Sequence, residues 1–188
     1  MDVSKLVIGL AGMPGSGKSL AVDTARQLGY SIVTMGDVIR EETKKRGLDL
    51  TPENVGKVML ELRQEDGNFV IARRCIPKIQ EIATYKVLID GLRSLFEAEI
   101  FKDTFKKFSL IAIHAAPETR FRRLANRRRS DDTLRREIFC ERDKRELSVG
   151  LGNVIAMAEE LIINENSAEQ VKSKIREAVG RIEQKWSK

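Results

Sequence analysis

Eight residues near the start of the chain, Gly12-Met13-Pro14-Gly15-Ser16-Gly17-Lys18-Ser19, match G-x-x-x-x-G-K-[ST] in full. A loop of this composition wraps its backbone N–H groups around a phosphate, and glycine takes the required dihedrals without a Cβ clash. Lys18 is then spaced to reach the β and γ phosphates of a nucleotide such as ATP, and Ser19 to offer its hydroxyl to Mg²⁺. The helix that opens here turns the positive end of its dipole to the anion. The apolar run from Leu6 to Ala11 before the loop and the amphipathic stretch from Leu20 to Leu28 after it supply the strand and helix that such a loop requires.

A second strand-like run, Lys86-Val87-Leu88-Ile89-Asp90-Gly91, ends in an acid. Ligands of α/β sheets bind beyond the carboxyl ends of the strands. Asp90 is therefore expected on the same rim as the loop, either holding Mg²⁺ or its water shell or capping the turn before Gly91. Two arginines also follow strand ends: Arg40 in Thr34-Met35-Gly36-Asp37-Val38-Ile39-Arg40 and Arg93 in Asp90-Gly91-Leu92-Arg93. Together they can clamp a second phosphate opposite the one held by Lys18, a geometry suited to transfer between nucleotides. Asp37 and Arg40, three apart, share one helix face, which makes Asp37 either a base or an orienter of Arg40.

The net charge of +6 is concentrated. From Glu118 to Glu146 there are eleven basic and seven acidic residues, and Arg120 to Arg129 holds six arginines and no acid. Such a stripe points to a polyanionic partner, a nucleotide or a nucleic acid. Single-strand binders usually add stacking aromatics. Phe121 is the only aromatic among these arginines, so nucleic acid is disfavoured as a partner. His114 is expected to be a satisfied structural histidine and Trp186 a core anchor. Cys75 and Cys140 are expected to be ordinary buried thiols, and with one His and two distant Cys no zinc site is proposed.

Positioning these groups is the task of alternating elements. Val/Ile/Leu-rich runs at Leu6–Ala11, Ser31–Val33, Lys86–Asp90, Leu110–His114 and Leu161–Ile163 read as strands buried on both faces. Helix starts are signalled by Thr34 with Asp37, Thr51 before Pro52, Ser94 with Glu97, Pro117, and Ser167 with Gln170, and stops by Gly47 and Gly67. Repeated right-handed βαβ units imply one three-layer α/β domain over 1–188 with a five-stranded parallel sheet. The strand-free interval 36–84 implies a helical insertion. The Arg-rich pair around 120–148, joined at Ser130, Asp131 and Asp132, implies a small flap hinged near Ser130 or at Gly150 and Gly152. A chain of 188 residues with 41% hydrophobic and 33% charged content buries a core without staples. That composition excludes collagen-like, disordered and membrane-spanning classes. A reducing cytoplasm is the expected setting, with the oligomeric state open.

These motifs resemble the adenylate kinase-like nucleoside monophosphate kinases of the P-loop class. The matching elements are the loop, the G-D-x-x-R of Gly36, Asp37 and Arg40, the D-G-x-x of Asp90 to Arg93, and the R-x-x-x-R-R of Arg123, Arg127 and Arg128. Within that class the chain resembles an archaeal kinase-like branch, and the tract Gly91 to Glu97 is also similar to dephospho-CoA kinases. The resemblance implies a P-loop nucleotide kinase fold, with the 36–84 insertion binding the acceptor and the 120–148 region acting as a lid. It assigns the acceptor phosphate to Arg40 and Arg93, the transferring phosphoryl to Arg127 with Arg142 and Arg145, and the vicinity of the adenine to Arg123. The sequence departs from adenylate kinases in reading Lys18-Ser19-Leu20 for G-K-G-T and Leu92-Arg93 for F-P-R, and it has no long β-rich or zinc lid. The implied activity is ATP·Mg²⁺-dependent phosphoryl transfer to a nucleoside monophosphate or nucleotide-like acceptor. The alternatives are a dephospho-CoA kinase-like activity, an RNA-directed role, and a non-catalytic ATP/AMP sensor or assembly factor. Closure of the insertion and of the Arg120 to Leu147 flap over bound nucleotides is the expected motion.

Overall fold

The computed structural model describes residues 5–127 and 135–187. Five strands, β1 (Leu6–Ala11), β2 (Ser31–Thr34), β3 (Lys86–Leu92), β4 (Lys107–His114) and β5 (Glu160–Ile163), form one sheet in the order β2-β3-β1-β4-β5. Every pairing is parallel. The central strand β1 is apolar and buried throughout, and β3 and β4 are largely so, because helices cover both faces. Val7, Val87 and Ile89 enter one core with Leu62, Ile71 and Phe101. Leu6, Ile8, Leu10 and Leu88, which alternate with them, enter the other with Ala25, Ile175 and Val179.

Nine helices are described: α1 (Lys18–Gln27), α2 (Met35–Lys45), α3 (Pro52–Asp66), α4 (Val70–Glu81), α5 (Leu95–Thr104), α6 (Pro117–Arg127), α7 (Arg136–Val149), α8 (Leu151–Ala156) and α9 (Ala168–Trp186). Helices α2, α3 and α4 fill the interval between β2 and β3. Ser94 and Ser167 make full capping boxes with Glu97 and Gln170, and Thr51 Oγ1 accepts from the Asn54 N–H at 3.1 Å. Thr34 is the N-cap residue of α2 but its side chain makes no cap hydrogen bond, and Asp37, three residues on, pairs with Arg40. Two strands run longer than their apolar signal. β3 extends past Asp90 to Leu92 through a register shift that pairs Ala11 with Leu92, and β4 begins at Lys107.

Several side chains are placed differently from the sequence expectation. Cys75 is buried but Cys140 is exposed, since α7 turns that face to solvent. His114 is exposed at the end of β4. Trp186 is half-buried, packed against the second core with its Nε1–H donating to Ser109 Oγ at 2.9 Å. Arg128, Ser130, Asp131 and Asp132 lie outside the described residues. Gly150, between α7 and α8, has φ +107.

The largest departure is Arg120, which is not part of a free basic stripe. It is 3% exposed. Its guanidinium binds Asp143 at 2.8 and 2.5 Å, donates to Ala115 O at 3.1 Å and Pro14 O at 3.2 Å, and lies 5.0 Å over the Phe139 ring. One side chain therefore ties α6 to α7 and both to the glycine-rich loop, anchoring the base of the expected flap. Removing one partner of a buried pair leaves the other charge uncompensated, at a cost of about 3 to 5 kcal/mol. Arg120→Met is expected to lower stability by about 3 kcal/mol in denaturant melts; a loss under about 0.5 kcal/mol, the scale of a surface substitution, would show that the pair does not hold the helices.

Candidate active site

The loop between β1 and α1 is held closed by two approaches that leave no room for side chains. A Cβ on Gly15 would stand 2.7 Å from Arg120 O, and one on Gly17 would stand 2.1 Å from Asn164 Nδ2. Both glycines have positive φ, +79 and +95. Asn164, just past β5 and 2% exposed, donates its Nδ2–H to Ser16 O at 2.8 Å. It also accepts from Arg123 Nη2 at 3.0 and 3.2 Å. No side chain caps α1, so its first-turn amides face the cradle that a phosphate would fill. Lys18 curls back so that Nζ donates to Gly12 O at 2.6 Å. Shielding from water pulls its pKa down to about 8, against the opposing pull of Asp90.

A cavity of about 610 Å³ opens over this loop. Gly12, Pro14, Gly15, Gly17, Lys18 and Ser19 line it from below, and Asp90, Arg93, Arg123, Arg127 and Arg142 from the rim and from α6 and α7. Met13 and Ser16 do not line it. The Met13 side chain joins the first core and its carbonyl accepts from the Ser16 N–H at 3.0 Å. Ser16 is fully buried, and its Oγ has no partner. Arg145 is placed outside as well. It is exposed on α7, because the cavity-facing row of that helix is Arg142 and Glu146, one turn apart.

A smaller cavity of about 160 Å³ lies beside the first, lined by Met35, Gly36, Ile39, Arg40, Arg63, Ile71 and Glu97. The two share Lys18, Thr34, Asp90, Gly91 and Arg93. Arg40 reaches this cavity from α2 with its Nε donating to Asp37 Oδ1 at 3.1 Å. Arg93 pairs with Glu146 Oε1 at 3.2 Å. Burial raises the pKa of Asp90, Lys18 and Arg93 counter that rise, and its Oδ1 is buried with no partner.

The fit to Mg²⁺ rests on this orphaned oxygen. Among the described residues no three His, Cys, Asp or Glu side chains cluster as metal ligands. Mg²⁺ bound to nucleotide needs only one or two protein oxygens, the rest coming from phosphate and water, and Ser19 and Asp90 line the same cavity. Four residues of the site carry no motif in the sequence: Arg63, Glu97, Glu146 and Asn164. Glu97 reads there as a helix cap, and the place of Asn164 just past a strand end is the only signal it gives.

The AAA-domain family profile matches residues 11–137. A UPF0200 protein of Methanocaldococcus jannaschii is 50% identical over 166 residues, covering 87% of this chain and 84% of the relative. One of Thermococcus onnurineus is 45% identical over 181 residues, covering 94% and 98%. Among solved structures, shikimate kinase from Bacteroides thetaiotaomicron superimposes with a TM-score of 0.62 at 16% identity, over 95% of this chain and 98% of the kinase. A Thermus thermophilus protein does so with 0.63 at 17%, over 94% and 97%. At such identities the likeness shows the fold alone, a five-stranded parallel sheet with helices of the P-loop kinase type, as the sequence leads one to expect. The extent of the family match and the identity to the archaeal relatives make the chain a member of the AAA-domain family and of the UPF0200 proteins of archaea, with a kinase-like P-loop fold.

Proposed function

We propose that the protein is an ATP·Mg²⁺-dependent phosphotransferase that moves the γ-phosphoryl of ATP to a nucleoside monophosphate or nucleotide-like acceptor. The observation that carries this reading is the meeting of two cavities at Lys18, Asp90 and Arg93. A donor phosphate on the loop and an acceptor phosphate between Arg40 and Arg93 face each other across that seam. Phosphoryl transfer needs positioning and charge neutralisation more than covalent chemistry. Lys18 neutralises the β and γ phosphates. Arg127 and Arg142 line the donor cavity from above and stabilise charge on the transferring group, whereas Arg145 is too far out on α7 for that role. Arg123, pinned by Asn164 beside Gly17, borders the nucleotide. Asp37 holds Arg40 to the acceptor. Ser19 and Asp90 would hold Mg²⁺, which would supply neutralisation of phosphate charge. In this reading α2, α3 and α4 form the acceptor-binding insertion, and α6 with α7 the lid. Both cysteines are free, which supports a cytoplasmic setting.

Lys18→Ala removes the one ammonium that the described residues bring to the seam. It is expected to abolish transfer from γ-labelled ATP to AMP, CMP, UMP, GMP or dephospho-CoA, with the melting profile retained. No transfer by the wild-type protein to any acceptor would favour a nucleotide sensor, and full turnover by the variant would remove Lys18 from the chemistry.

The lowered pKa of Lys18 gives a pH dependence of definite sign. Without nucleotide the ammonium loses its proton near pH 8. A bound phosphate favours the charged form, so the pKa rises on binding and a proton is taken up. ATP affinity is therefore expected to be flat below about pH 8 and to fall above it by up to about tenfold per pH unit. Titration calorimetry in buffers of different ionisation enthalpy measures the uptake; a constant affinity to pH 9.5 with none would rule out Lys18 as the phosphate ligand.

A further inference from the structure

Arg63, on α3, is held in a way that leaves part of it unused. Its side chain is 10% exposed, and its Nη2 donates to Glu97 Oε1 at 2.9 Å. Glu97 is 1% exposed and cannot follow a ligand, because its other oxygen accepts from the backbone N–H groups of Arg93 at 2.8 Å and Ser94 at 3.3 Å. The second terminal nitrogen, Nη1, is buried with no partner at all. An ionised donor shut away from water without an acceptor is destabilising, and folded proteins rarely keep one unless something else fills the gap. Arg63 also lines the smaller cavity, with Arg40 and Arg93.

We propose that Arg63 is a third binding residue for the acceptor phosphate of the proposed reaction, with Nη1 donating to a phosphate oxygen beside Arg40 and Arg93. Three guanidiniums reach the smaller cavity from three separate elements: Arg40 from α2, Arg63 from α3 and Arg93 from the segment after β3. A phosphomonoester has three terminal oxygens to meet them, and a planar carboxylate has two. Lys18, Asp90 and Glu97 line the cavity as well, Lys18 countering the carboxylate charge, and the apolar part of the wall comes from Met35, Ile39 and Ile71, each at most 6% exposed. Such a wall strengthens charge-assisted bonds by excluding water. A volume of about 160 Å³ admits a phosphate and the first atoms of its ester rather than a whole nucleotide. Glu97 fixes the planar fork so that little side-chain entropy is lost on binding. The assignment rests on the phosphotransferase reading and deepens it: the acceptor phosphate is met by three guanidiniums, one of which is fixed in advance by Glu97.

The test separates the two claims. Methyl phosphate is titrated into the full-length protein saturated with the non-hydrolysable analogue AMP-PNP and Mg²⁺, so that the loop is occupied, and binding is followed by calorimetry. The wild-type protein is expected to bind one methyl phosphate, and Arg63→Met to bind it about tenfold to a hundredfold more weakly, the loss of one charge-assisted bond. AMP-PNP affinity in the variant should stay within about twofold. Because Arg63→Met strands a buried carboxylate, the double variant Arg63→Met/Glu97→Gln removes both charges and should show the same loss. A perturbation of the assigned Arg63 guanidinium resonances in the wild-type protein on adding methyl phosphate, but not on adding acetate, gives a readout that no variant has to fold for. Unchanged methyl phosphate affinity in a folded variant, or unmoved Arg63 resonances at saturation, overturns the assignment. Failure of AMP-PNP to bind the wild-type protein defeats the phosphotransferase reading, and the Arg63 resonances still decide the subsite.

Discussion

An ammonium group held out of bulk water at the carboxyl edge of a parallel sheet constrains most of what surrounds it. The Lys18 nitrogen is close enough to Gly12 O to bond it and is screened enough for its pKa to fall to about 8. A shielded cation in such a place is tolerable only if the groups around it are arranged in advance. Asp90 is brought there by β3, Glu146 by α7 and Arg93 by the turn into α5. The parallel sheet is what makes this possible. β1 lies between β3 and β4, so the loop after β1 opens onto the rim where the segments following both neighbours also emerge.

The loop itself is over-determined from three directions. Arg120 reaches Pro14 O from α6, Asn164 reaches Ser16 O from beyond β5, and Arg123 is fastened to Asn164. The glycines thus serve two ends, wrapping the phosphate and letting Arg120 O and the Asn164 amide approach closely. Charge that looks, by count, like a surface for polyanions is partly consumed in this bracing. Arg120 lies at 3% exposure with its partners satisfied, and only part of the row is turned to the cavity.

Much of the frame is legible because strands buried on both faces leave continuous apolar runs, and because Ser94, Ser167 and Thr51 announce helix starts that the structure keeps. The ends of β3 and β4 were harder to read. The extension to Leu92 depends on a register shift across from Ala11, and that pairing is not local. At the site, the loop, Asp90, Arg40 and Arg93 were legible from motif and from position after a strand. Arg63 and Glu146 were not, since each sits mid-helix among other charges, and only tertiary packing decides which charged side chain is enclosed. Arg142 and Arg145 show the same limit. Three residues apart on one helix, they are equivalent as letters, and the direction of α7 separates the one that lines the cavity from the one that does not.

The three guanidiniums of the smaller cavity differ in what they give up to a ligand. Arg40 and Asp37 are about half exposed, 44% and 56%, and such a pair holds by no more than about 1 kcal/mol. Arg40 can therefore turn to a phosphate at little cost. Arg63 keeps its bond to Glu97 and offers a nitrogen that is not otherwise engaged, so it has nothing to surrender. Arg93 is the costly one. Its partner Glu146 is 7% exposed with a second oxygen already unpartnered, and a phosphate drawing Arg93 away would leave a desolvated carboxylate beside that phosphate. Glu146 must then gain water or another donor, by turning its side chain or by a shift of α7. Arg120 holds Asp143 in the middle of α7, one turn before Glu146, and the helix ends at Gly150 with φ +107. In the proposed reaction the acceptor phosphate and Glu146 therefore compete for Arg93, and the cost of freeing Arg93 is set by what satisfies Glu146 in its place.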